Sequence, residues 1–288
     1  MKYVDLHVHT NVSDGTLTPA EVVNLAVQKK LAAIAITDHD TIYGIKEAKQ
    51  AAAAIQKRNG YDLELIPGVE ISAEYKKKDI HILGLFVNEE DTQLQNVLSN
   101  ALKERDARNQ KMVDNLRADG IDLTLDALLF DEPNTVITRA HFARFLVEQG
   151  YAKSNNDAFS NYLGYDTKYY VPRNYLTPKD AISLILQAGG IPALAHPLLY
   201  HLSLEELGVL IAELKGYGLV GLETIYSMNT GFDEGILRRY VNKYELLMTG
   251  GSDFHGSNKP QIDLGSGLGN LKIPYQLVKR LKNYLNIM

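Results

Sequence analysis

The 288-residue sequence has no cysteine, which excludes disulfides, thiolate nucleophiles and cysteine-held structural zinc, and suits a reducing compartment such as the cytoplasm. Any metal bound here must rest on nitrogen and oxygen. Charge of one sign is also scarce. Thirty Lys and Arg against 35 Asp and Glu leave a net charge of −5, too little positive field to hold long DNA. No apolar run approaches the roughly 18 to 20 residues that span a bilayer, and no basic leader with an apolar core opens the chain. The expectation is a cytoplasmic protein without membrane contact. Internal repeats and low-complexity stretches are absent as well.

Hydrophobic residues make up 45 % of the chain, enough for a full core at this length without cross-links. Seven apolar, β-branched runs read as buried strands: KYVDLHV, AAIAIT, LELIPGVEIS, DIHILGLFV, GIPALA, VGLETIY and ELLMTGG. Helical stretches lie between most of them, and three begin with recognisable caps: Thr18-Pro19 with Glu21, Thr177-Pro178 with Asp180, and Ser203 with Glu206. Strands alternating with helices predict an α/β fold with a mostly parallel sheet, here an α/β barrel rather than a doubly wound sheet. Between 97 and 170 the pattern is helical only, which predicts a helical insertion subdomain there and a barrel built from 1–96 and 171–288.

Six of the eight histidines, His7, His9, His39, His81, His196 and His255, fall at a predicted strand end or in the turn after it. Barrels and open α/β sheets build their sites at the carboxyl ends of their strands. His7 and His9, two apart on a strand, leave the same face, and two buried imidazoles side by side are costly unless a cation pairs with them. Asp253 and His255 repeat that spacing behind two glycines. Glu70 lies inside an apolar strand, where a lone carboxylate needs a partner. Each feature alone has a bland reading: an Asx turn for Asp38-His39-Asp40, an ion pair for Glu70, a packed core histidine for His81, a strand terminator for His196-Pro197. Their joint occurrence points to a metal cluster, and nine candidate donors exceed the needs of one ion, so two or three ions are expected.

In order along the chain, DLHVHTNVSDG, AITDHDT, IPGVEIS, HILGLFV, AGGIPALAHP and GGSDFHG resemble the PHP (polymerase and histidinol phosphatase) family of metal-dependent phosphoesterases. The resemblance implies a distorted (β/α)7 TIM-like barrel with a trinuclear site. One ion would sit on His7, His9, Glu70 and Asp253. A second would share Glu70 and add His81 and His196, and a third would take Asp14, His39 and His255. Glu70, His81 and His196 would hold a metal-bridging hydroxide as nucleophile. The metal, whether Mn, Zn, Fe or Mg, is left open by a nitrogen and oxygen donor set. Aspartate at position 14, where other members carry histidine, resembles the subgroup acting on nucleoside 3′,5′-bisphosphates and 5′-nucleotides, some of which also trim short RNA from its 5′ end.

The expected partner is therefore a small phosphorylated substrate, a nucleotide or short RNA. Arg139, Lys168 and Arg173 are the candidate phosphate contacts, because guanidinium and ammonium groups match phosphate. His141 is expected to cap and pack within the insert. Asp38 and Asp40 are expected to accept from ligand imidazoles. The alternatives are an amidohydrolase-like metal hydrolase, a histidinol-phosphate-type phosphatase, or a binding module whose site has decayed.

Overall fold

The computed structural model describes residues 2–76, 78–130, 135–172 and 176–287. Seven strands form one sheet in chain order: β1 (Val4–Val8), β2 (Ala33–Ile36), β3 (Glu64–Tyr75), β4 (Lys78–Leu85), β5 (Ile191–Leu194), β6 (Gly221–Tyr226) and β7 (Leu247–Gly251). Every predicted strand is present. The helices among the described residues are α1 (Pro19–Gln28), α2 (Gly44–Asn59), α3 (Thr92–Ala118), α4 (Arg139–Glu148), α5 (Asn155–Ala158), α6 (Pro178–Gln187), α7 (Leu204–Gly216), α8 (Asp233–Lys243) and α9 (Gln276–Tyr284). The three predicted caps are all formed. Thr18 and Ser203 make reciprocal capping boxes with Glu21 and Glu206, and Thr177 accepts from the Asp180 N–H.

β1 to β3 and β5 to β7 pair in parallel, but β4 is antiparallel to both neighbours. The expected run of helical crossovers is thus interrupted at one point. β3 and β4 pair from Gly68–Leu85 to Tyr75–Lys78, so no helix separates them.

The sheet curls into a nearly closed barrel, with β1 meeting the end of β7. The Asp253 N–H donates to His7 O at 2.9 Å and the His9 N–H to Phe254 O at 3.0 Å. The buried Asp5 carboxylate secures this seam, accepting from Ser252 N, Ser252 Oγ and Gly265 N at 2.8, 2.6 and 2.8 Å. Burial pushes its carboxyl up to about 6 despite those hydrogen bonds. Only glycine fits at 251, because a Cβ there would lie 2.2 Å from His7 Cβ and 2.6 Å from His7 N. Gly251→Ala is therefore expected to force β1 off β7 and cost about 3 kcal/mol or more. At about 2–4 °C per kcal/mol, that lowers the thermal midpoint by about 6 °C or more.

The largest apolar cluster joins the barrel to its surrounding helices, from Val4 through Ile82 and Leu194 to Leu281. A smaller one, with Val22, Ile34 and Ile55, lies under α1 and α2. Residues between 112 and 169 enclose a separate cluster around Met112, Leu116, Phe142, Leu146 and Leu163. The 27-residue α3 crosses from one core to another: Leu94 and Leu98 pack in the barrel core, Met112 and Leu116 in the outer one. The expected boundary at 96/97 falls inside this continuous helix. No described helix is long and apolar enough to cross a membrane.

Candidate metal centre

Successive strands deliver polar groups to one end of the barrel. His7 lies on β1 and His9 just beyond it; His39, His196, Asp253 and His255 follow β2, β5 and β7; Glu70 and His81 lie within β3 and β4. His81 departs from the strand-end expectation. Because β4 is reversed, its first half, not its last, reaches the face where its neighbours' carboxyl ends gather.

Glu70 is the hub. Its Oε1 lies 2.9 Å from both His81 Nδ1 and His196 Nε2. Its Oε2 lies 3.1, 3.2 and 3.3 Å from His9 Nε2, His39 Nδ1 and His7 Nε2. Asp253 Oδ1 faces His9 Nε2 and His255 Nδ1 at 3.3 and 3.4 Å, and Asp14 Oδ1 faces His255 Nε2 at 3.1 Å. All nine predicted donors are gathered, and they fall into overlapping sets whose donor atoms lie within 4.8 Å of one another. His9, Asp14, His39 and His255 form one set; His7, Glu70 and His196 form another.

The donor set fits cations. Asp14 Oδ1, Glu70 Oε2, His39 Nδ1 and His196 Nδ1 are buried and make no hydrogen bond. Each such group costs about 1–3 kcal/mol if left without a partner. Burial alone would raise the carboxyls of Asp14, Glu70 and Asp253, yet the facing imidazoles, joined by Lys259 at Asp253, hold all three well below the ordinary range. Burial pushes His39 down to about 3 and also lowers His255. His9 is raised to about 9, since the carboxylates of Asp253 and Glu70 outweigh its burial. A pocket that draws protons onto imidazoles is one in which divalent cations compete with those protons.

Three residues of this end have positive φ: Asp40 at 53°, His196 at 26° and Asp253 at 58°. Non-glycine residues in this region are held there by their surroundings, and such strain gathers at functional sites.

Asp38 does not act as expected. It accepts from Thr10 N, Thr10 Oγ1 and Ser13 Oγ at 2.8, 2.7 and 2.6 Å, and so holds the loop after β1, reaching His9 only through Ser13. Asp40 accepts from Ser72 N at 2.8 Å and from Arg105. The carboxylate that meets the Nδ1 of His7, on the side of the ring away from Glu70 and Asp253, is instead Glu223, with Oε1 at 3.1 Å.

Above the cluster opens a cavity of about 860 Å³. Arg105, Arg108, Arg139, Arg144 and Lys259 bring positive charge to its wall. Arg139 donates to Asp79 Oδ2 at 2.6 Å, and its guanidinium carbon lies 5.2 Å from the Tyr165 ring centre. Lys168 is exposed, pairs with Asp119 and is not among the cavity-lining residues. Arg173 lies outside the described residues. Arg105 and Arg108 escaped the sequence reading although a signal existed. They are buried on the same stripe of α3 as Leu94, Leu98 and Met112, where an apolar residue is the norm.

His141 caps α4, as expected of it. The Thr138 N–H donates to its Nδ1 at 3.0 Å, while Thr138 Oγ1 donates to Asp14 Oδ2 at 3.0 Å. Burial lowers His141 from 6.5 to about 4. The unfolded chain therefore binds the extra proton between those values, and stability rises with pH across that window. Up to about 3 kcal/mol is fully present above pH 6.5 and lost as pH falls through 4. Glutamine also serves in a capping box but does not titrate. Urea unfolding of His141→Gln is expected to show a flatter stability profile from pH 6.5 to 4 than the parent; superimposable profiles would refute this role.

The PHP domain pattern matches residues 5–169. The 5′-3′ exoribonuclease Rnm of Salmonella typhimurium is 36 % identical over 264 residues, covering 92 % of this chain and 88 % of the relative. The 3′,5′-nucleoside bisphosphate phosphatase of Chromobacterium violaceum is 33 % identical over 267 residues, covering 92 % and 91 %. A crystal structure assigned as a metal-dependent phosphoesterase from Bifidobacterium adolescentis superposes with a TM-score of 0.84 at 30 % identity, covering 98 % of this chain and 96 % of that one. Shared sequence over nearly the whole length, and a shared barrel, lead to one conclusion: the chain belongs to the PHP domain family and is a metal-dependent phosphoesterase.

Proposed function

We propose that the enzyme hydrolyses phosphomonoesters of nucleotides, a nucleoside 3′,5′-bisphosphate or a 5′-nucleotide, and that short 5′-phosphorylated RNA is a further substrate. The observation that carries this reading is the pairing of a nine-donor cluster with a cavity wall bearing arginines and a lysine. The names of the exoribonuclease and bisphosphate phosphatase relatives support the substrate class.

In this proposal His7, His9, Asp14, His39, Glu70, His81, His196, Asp253 and His255 hold two or three divalent ions, with Mn, Zn, Fe and Mg as candidates. Such ions, when bound, supply Lewis acidity and bring a water molecule's pKa to near neutrality. The chain's own groups do the rest. Arg139, Arg105 and Arg108 offer guanidinium forks to phosphate oxygens, and Lys259, 2.7 Å from Asp253, brings a positive charge next to the donors. Arg105, Arg108, Arg139 and Arg144 all come from 97–170, which makes that segment a substrate-capping subdomain in this reading. Lys168, already paired away from the cavity, has no part in it.

The test is phosphate release from adenosine 3′,5′-bisphosphate, AMP, short 5′-phosphorylated RNA and histidinol phosphate with added Mn²⁺, beside hydrolysis of cyclic amides. Turnover of the nucleotides supports the proposal. Turnover confined to histidinol phosphate or to the amides overturns it. Arg139→Ala should raise KM for the preferred nucleotide about tenfold, roughly one charge-assisted hydrogen bond, with a smaller change in kcat.

A further inference from the structure

Among the seven strands, β6 alone contributes none of the nine donors, either within itself or in the turn that follows. Its polar side chains are nonetheless buried at the site. Glu223 is fully buried and Tyr226 nearly so. Glu223 Oε1 lies 3.1 Å from His7 Nδ1, and its Oε2 accepts the His196 N–H at 2.7 Å. The Tyr226 hydroxyl donates to Asp253 Oδ2 at 2.8 Å, the oxygen that Lys259 also contacts at 2.7 Å.

Residues three apart on a regular strand point to opposite faces. The β6–β7 register shifts between Glu223 and Ile225, and this irregularity allows Glu223 and Tyr226 to serve the same site. Bulges of this kind re-aim side chains beside active sites.

We infer that β6 is a positioning strand: Glu223 and Tyr226 set which atoms of His7, His196 and Asp253 are presented to metal. The inference rests on the metal-centre reading above. A carboxylate that accepts at both oxygens puts the His7 hydrogen on Nδ1 and leaves the Nε2 lone pair for the cluster, where Nε2 faces Glu70 and Asp253. The same carboxylate ties down the backbone of His196 at its φ of 26°. One side chain thus couples His7 and His196, donors delivered by two different strands, which share a set with Glu70. Tyr226 and Lys259 together engage Asp253 Oδ2, so that Oδ1, facing His7, His9 and His255, is the oxygen left to bind.

Glutamine at 223 cannot accept at both ends. If its oxygen keeps the His196 N–H, its amide hydrogens face His7 Nδ1 and favour the tautomer whose Nε2 is blocked by hydrogen. Phenylalanine at 226 removes only the hydroxyl. The experiment is calorimetric titration of metal-free protein with Mn²⁺, together with thermal unfolding of each metal-free variant. Glu223→Gln is expected to weaken the tightest Mn²⁺ step by about 10–100-fold, and Tyr226→Phe by less, each with a thermal midpoint near that of the parent before metal is added.

If either variant titrates with the parent's affinity and stoichiometry, its residue is not a positioning residue. If Glu223→Gln unfolds early without metal, Tyr226→Phe carries the test, and parental Mn²⁺ affinity there overturns the inference. Mn²⁺ binding by the parent without nucleotide turnover would overturn the substrate proposal while leaving this one standing. Absence of Mn²⁺ binding by the parent would overturn both.

Discussion

Glu70→Gln is expected to lower phosphate release by at least about 10³-fold, the upper range for removing one electrostatic stabiliser from a preorganised site. The reason is the number of groups that depend on this carboxylate. Its two oxygens lie within 3.3 Å of ring nitrogens of His7, His9, His39, His81 and His196. Glutamine keeps the shape, so the fold survives, but it removes the charge that bridges the cluster and places an N–H₂ against imidazole nitrogens. Steady-state kinetics and circular dichroism together check this. Turnover within tenfold of the parent would remove Glu70 from the centre of the mechanism.

Stripping divalent metal with a chelator is expected to abolish turnover and to lower the unfolding temperature, with Mn²⁺ restoring both. Each ion present at 100 times its Kd adds about 2.7 kcal/mol to the folded state. At about 2–4 °C per kcal/mol, that is about 5–10 °C per ion. The effect should be large because buried acceptors such as Asp14 Oδ1 and Glu70 Oε2 make no hydrogen bond in the protein. Differential scanning fluorimetry with and without chelator reads it directly. A midpoint indifferent to Mn²⁺ would mean that the donors are satisfied in another way.

Much of this was legible beforehand because the relevant signals are local. A buried strand is a short apolar, β-branched run, and all seven were readable as such. A capped helix start is a four-residue pattern, as at Thr18 and Ser203. The His7/His9 and Asp253/His255 spacings set side chains on common faces before any contact is known. The reversal of β4 was hidden, since an apolar strand reads the same in either direction and only its pairing with β3 and β5 assigns it one. Glu223 was hidden too. In VGLETIY it is one polar residue in an apolar run, with nothing nearby to announce partners at His7 and His196, 216 and 27 residues earlier in the chain.

The sequence by itself determined the strands, the capped helices and the nine candidate donors, because period, spacing and donor chemistry are properties of neighbouring residues. The tertiary structure decided what those groups face. Closure of β1 against β7 at Gly251 brings His7 beside Asp253. The continuous α3 carries Arg105 and Arg108 to the cavity wall, and an irregularity in β6 turns Glu223 and Tyr226 toward the donors. Burial, charge and hydrogen-bond partnership depend on distances through space between residues far apart in the chain, and those are fixed only when the barrel closes.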